Sequence, residues 1–178
     1  MKADARTSRI IVLSRHLRLA LLILAVLHPA IVFTVVATMS DAQLALAATG
    51  QPLAGQGLPF DTRMLVTGLS IIPAFILSVG LLGIRPVLGD MQSGRAFGKA
   101  TFQGLRRLAI AVVIGTTVKI VSVPLITMAL TWQAEETQMA VSLGLGDLQV
   151  LILGAAIWLL AWVMAEGYDL ASENAQFV

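Results

Sequence analysis

The sequence contains no cysteine. Disulfides, iron–sulfur clusters and cysteine-held zinc are therefore excluded. Charge is also scarce: Asp, Glu, Lys and Arg make up 12% of the 178 residues, where about 25% is usual in a soluble domain. So few charges cannot cover a soluble core, which excludes a soluble monomeric enzyme. The only histidines, His16 and His28, stand far apart and have no companion ligands. No metal and no cofactor is expected. No Ser/His/Asp set, phosphate-binding loop or His-Glu-x-x-His motif occurs, so the reading is non-enzymatic. What the chain does have is apolar residues, 57% of the total, and a mean hydropathy of +0.88. A disordered tail is excluded by the same numbers. An integral membrane protein remains.

A bilayer-spanning helix needs about 17–25 apolar residues. Four such runs occur, over about 19–38, 64–84, 108–131 and 148–165. They predict an all-α membrane bundle of four transmembrane helices in a single domain over 1–178. The bundle can be read as two tandem helical hairpins. Pro29, Pro73 and Pro124 lie inside three of the runs. Membrane helices tolerate proline, so kinks rather than breaks are expected.

The basic residues give an orientation. Lys2, Arg6, Arg9, Arg15 and Arg18 precede the first run, and Arg85, Arg95, Lys99, Arg106 and Arg107 lie between the second and third. The other two connections are acidic or nearly uncharged. Both termini, the 85–107 loop and the 166–178 tail are thus expected in the cytoplasm, with the protein in a bacterial inner membrane. Trp132, Trp162 and Tyr168 fall near run ends, where interfacial aromatics belong, whereas Trp158 is expected between helices. A cleaved signal peptide is the rival reading of the N-terminus, with Ala45-Leu46-Ala47 as its site. The first apolar run, about 20 residues long, exceeds the 7–15 of a signal h-region.

A faint repeat links the ends of the second and fourth runs. Asp90, Ser93 and Phe97 match Asp169, Ser172 and Phe177 after a shared Leu-Leu. Two further stretches carry a resemblance. One is Gly94-Arg95-Ala96-Phe97 followed by Gly104-Leu105-Arg106-Arg107-Leu108; the other is the ending from Ala165 through Glu166, Glu173 and Asn174 to Phe177-Val178. Together they resemble the DUF2975 family of uncharacterised bacterial membrane proteins. The likeness spans the four-run layout from the second run onward. It implies a four-helix inner-membrane protein of unknown biochemistry. Members are often encoded beside a small helix-turn-helix regulator, which implies a protein that holds or inhibits such a regulator. No direct contact with nucleic acid is expected, and a homo-oligomer is left open.

Individual residues sharpen this. Lys119 lies roughly 16 Å from either end of its run, too deep to snorkel easily. Lysine at that depth costs about 2.5–3.5 kcal/mol, so it should face the bundle or a wet cavity. No Asp or Glu lies inside any run, so no ion pair is expected there. Its expected partners are Thr116, Thr117, Ser122, Ser70, Ser78, proline-freed carbonyls or His28. The functional reading is a polar pocket for an anion, lipid head group or small ligand, with Lys119, His28 and Thr116 as its residues, and the alternative function is a small transporter, channel or lipid- or anion-binding protein built around Lys119. The plainer reading is a structural lysine. His28 itself is expected to be a buried, neutral residue bonded to a neighbouring helix. A second candidate surface is cytoplasmic. Arg95, Phe97, Lys99, Arg106 and Arg107 form a basic patch, and Glu166, Asp169, Glu173, Asn174 and Phe177 an acidic tail. These two segments can pair with each other or meet a regulator. Against that stand positive-inside charge and ordinary solvation. Ala111-x-x-x-Gly115 and Ala161-x-x-x-Ala165 suggest close helix packing.

Overall fold

The computed structural model describes residues 2–50, 57–92, 99–132, 137 and 139–174. Six helices follow in order: α1 (Lys2–Thr38), α2 (Asp41–Thr49), α3 (Phe60–Gly83), α4 (Arg85–Gln92), α5 (Lys99–Thr131) and α6 (Leu145–Asn174). Among the described residues there is no strand. Helices α1, α3, α5 and α6 are each long and apolar enough to cross a membrane. The chain is an all-α membrane protein. Pro29, Pro73 and Pro124 lie inside continuous helices. Much of the 85–107 connection is helical, as α4 and the first turns of α5.

The long helices pack as a row, α1 on α3, α3 on α5 and α5 on α6. The most extensive contact is α3 on α5, between the two hairpins that the sequence suggests. Small residues make it. A side chain at Gly80 would collide with the Ala111 Cβ, and one at Gly104 with Val87 and, at 2.9 Å, with the Gly83 carbonyl. Apolar lipid supplies no hydrophobic drive between helices, so close backbone approach carries the packing. On the other side of α5, Gly154 of α6 fits against Val112 and Val113, and Ala161 is buried one heptad on. Trp158 does not lie between helices as expected. It is 51% exposed, beside Trp162 on the outer side of α6.

The ends of the row are tied differently. At one end lie Arg15, Arg18, Arg85, Arg106 and Arg107, and here α4 packs on α1 and α5 through buried Val87 and Leu88. At the other end, Ser40 caps α2 in a reciprocal box with Gln43, and Gly50 closes that helix at φ 72°. There Arg63 donates to Asp41 at 2.6 Å and to the carbonyls of Ala37 and Met39. These carbonyls sit where α1 runs out of backbone partners. The core cluster of Leu44, Val66 and Leu130 lies beneath this corner.

The connection from α5 to α6 departs from a simple hairpin. The Ala140 N–H donates to Thr127 at 3.1 Å, and Lys119 reaches Asp147 at 2.6 Å. Between these two points the chain descends alongside α5 by about 12 Å, eight helical residues at ~1.5 Å each. Helix α6 therefore begins level with the middle of α5. Residues 139–145 alternate: Met139, Val141, Leu143 and Leu145 are exposed apolar residues, with Ala140, Ser142 and Gly144 between them.

Candidate functional site

Four helices line a cavity of about 460 Å³. Helix α1 contributes His28, α3 contributes Ser70, α5 contributes Thr116, Lys119 and Ser122, and α6 contributes Asp147. Leu69, Leu77, Val123 and Ile126 complete much of an apolar wall. The size is that of a small-molecule site, and mostly apolar walls with a few polar groups are the usual pattern.

Asp147 overturns one expectation from the sequence. Lys119 does have an ionic partner, at 2.6 Å. The acid sits one residue before the fourth apolar run, and the descending connection carries it down to the level of Lys119. Asp147 does two jobs. Oδ1 accepts from Lys119, and Oδ2 accepts from the Gly144 N–H at 3.2 Å, where α6 begins. A carboxylate reaching back at the start of a helix satisfies an orphan donor and opposes the helix dipole favourably. The Asp147 side chain is 13% exposed and that of Lys119 59%. The cation is thus the more accessible member of the pair, and both line the cavity.

The hydroxyls are already committed as donors. Ser70 donates to the Val66 carbonyl, Thr116 to that of Val112, and Ser122 to that of Val118, each at 2.8 Å. A hydroxyl has one proton, so what remains for the cavity is oxygen lone pairs. Ser78 and Thr117, the other suggested partners of Lys119, also donate within their own helices and do not line the cavity. His28 differs from expectation too. Its Nδ1 is buried without a hydrogen-bond partner, rather than bonded to a neighbouring helix. An unmade bond at a buried nitrogen is costly, so it calls for an explanation; Arg85 Nε, away from this cavity, is in the same position.

Lys119, His28 and Thr116 are thus brought together in one cavity. The second surface is only partly described. Lys99 opens α5, and it, Arg106 and Arg107 are exposed. Glu166, Asp169 and Glu173 are exposed on α6. The rings of Phe102 and Tyr168, 5.9 Å apart, join the two segments. Arg95, Phe97 and Phe177 lie outside the described residues, as do Ser93 of the faint repeat and the side chain of Asn174. Sequence reasoning missed Asp147 as a site residue. It also missed the Asp41–Arg63 tie.

The fold and site define a polytopic α-helical membrane protein with a polar, ion-paired cavity set within its helix row. The model of a protein family of unknown function, DUF2975, matches residues 47–178. The chain belongs to the DUF2975 family. Comparison with curated proteins and with solved structures finds no match.

Proposed function

We propose that the chain is a non-enzymatic membrane sensor that binds a small molecule in the cavity at Lys119. One observation carries this reading: among helices long and apolar enough to cross a membrane, an ion pair, rather than a lone charge, stands on the wall of a 460 Å³ cavity that also holds an unpartnered histidine nitrogen. Ionisable residues inside the membrane are expensive and mark functional sites by default. A purely structural lysine has no need of the empty volume beside it.

The output in this proposal is at the basic end, which the positive-inside rule assigns to the cytoplasm of a bacterial inner membrane. Helix α6 carries Asp147 at one end and Tyr168 near the other, and Tyr168 meets Phe102 on α5. A change at the ion pair therefore reaches the 166–178 tail along one continuous helix. The tail and the lead-in to α5 are the surface proposed to hold the helix-turn-helix regulator that the family resemblance implies.

The test is to purify the full chain from its native membrane in mild detergent and identify retained small molecules by mass spectrometry. The expected result is a retained molecule that is lost from Lys119→Met/Asp147→Asn and from Val150→Trp, which fills the cavity. Equal retention by all three proteins overturns the reading. Loss of a co-purifying DNA-binding protein on deletion of 166–178 supports the output step.

A further inference from the structure

We infer that the molecule the cavity takes is a long-chain fatty acid, received from the bilayer with its carboxyl group protonated and seated at Lys119. This rests on the small-molecule reading above and names the ligand class. Three features of the cavity select it.

The first is the balance of donors and acceptors. Ser70, Thr116 and Ser122 have given their protons to their own helices and offer only lone pairs. Lys119 directs one of its three N–H groups at Asp147 and has two left to donate. A matching head group accepts from Lys119 and donates to a hydroxyl oxygen, while His28 Nδ1 serves as donor or acceptor according to its tautomer. A carboxylic acid does both, from two neighbouring oxygens. Two oxygens suit partners that stand on separate helices, α1, α3 and α5.

The second feature is charge. The Lys119–Asp147 pair is already neutral. A carboxylate arriving as an anion adds a net charge at membrane depth, and a cationic amphiphile meets Lys119 and is repelled. The protonated acid adds none.

The third feature is access. Helices α1 and α6 both line the cavity, yet they are the two ends of the row, and among the described residues their backbones make no extended contact. The side between them is the entry route this proposal takes. A ligand with an apolar chain enters from the bilayer by this gap, its tail lying against part of the apolar wall and continuing outward into lipid.

The experiment uses the delipidated full chain in detergent, with palmitic acid as probe and native mass spectrometry as readout. One palmitic acid per chain is expected, with methyl palmitate, which cannot donate, binding at least about tenfold more weakly. Cetyltrimethylammonium is expected not to compete. Lys119→Met/Asp147→Asn should weaken palmitic acid binding at least about tenfold. Thr116→Val, which keeps the ion pair and the side-chain shape, should weaken it measurably and serves if the double variant fails to fold. Equal binding of the methyl ester, or undiminished binding by the folded variants, overturns the fatty-acid assignment. In that event a different molecule, retained from the native membrane in a Lys119-dependent way, leaves the small-molecule reading standing. Absence of any such molecule removes both.

Discussion

Lys119 and Asp147 stabilise each other by removing a charge that neither lipid nor a dry cavity can solvate. Deleting one partner therefore costs more than deleting both. Lys119→Met leaves the mostly buried Asp147 carboxylate without its counter-charge and should destabilise the fold by about 1–3 kcal/mol. The further change Asp147→Asn should restore most of that loss, because the amide still accepts from Gly144 and carries no charge. Unfolding in mixed detergent micelles, as a double-mutant cycle, measures the coupling. Additive losses would mean that the pair contributes nothing. Lys119 was legible as special in the sequence because a base within an apolar run violates the pattern. Asp147 was not, because an apolar run is cut at the first charge and that charge is assigned to the loop. The signal was present in the alternation of Met139, Val141, Leu143 and Leu145, which extends the apolar stretch back past the acid. A strand-like period before a helix reads as a loop only when helices alone are sought.

Elements show the same division. Four long helices were legible from composition alone, since nothing else keeps backbone groups satisfied across a bilayer except a closed barrel. Which faces pack was far less legible. In lipid the outer and inner faces of a helix are both apolar, so the 3.6-residue alternation that marks a core face in water is muted. Small residues carry the information instead. The Ala111–Gly115 spacing pointed to packing, but its partners Gly80 and Ile76 on α3 emerge only from the structure. Gly80→Val should therefore destabilise by about 1–3 kcal/mol through overpacking against Ala111, whereas Gly68→Val, with open space around it, should do little. Thermal unfolding separates the two. The descending connection makes a second prediction. Among the described residues, the N–H groups of Val141, Ser142 and Leu143 have no partner in the chain. They lie level with the part of α5 between Thr127 and Lys119. Irregular backbone at membrane depth persists only beside protein or a water-filled space. Hydrogen exchange in nanodiscs should find these amides at least about a hundredfold faster than those of 150–160 in α6. Protection equal to that of the helix would mean that no water reaches them.

For the whole molecule, the order of the helices decides what the cavity is. A closed four-helix bundle brings its first and last long helices together and seals its interior. Here α1 and α6 stay apart, and the interior is a cleft with an open side. The absence of native cysteine makes this testable without background. A disulfide needs Cβ atoms about 3.5–4.5 Å apart. A Cβ built at Gly115 lies 3.8 Å from that of Ile76, so Ile76→Cys/Gly115→Cys should oxidise readily across α3 and α5. Val32→Cys/Val150→Cys places thiols on α1 and α6, both on the lining of the cavity. This pair should resist direct oxidation while both thiols remain open to a small, membrane-permeant maleimide. Rapid disulfide formation by the second pair would make the molecule a closed bundle. It would also remove the lateral route, and the cavity would then exchange its contents only through the connection at the Thr127 end. Slow oxidation together with free labelling leaves the side open. That opening joins an apolar bilayer directly to a lysine, which is the arrangement a lipid-borne ligand requires.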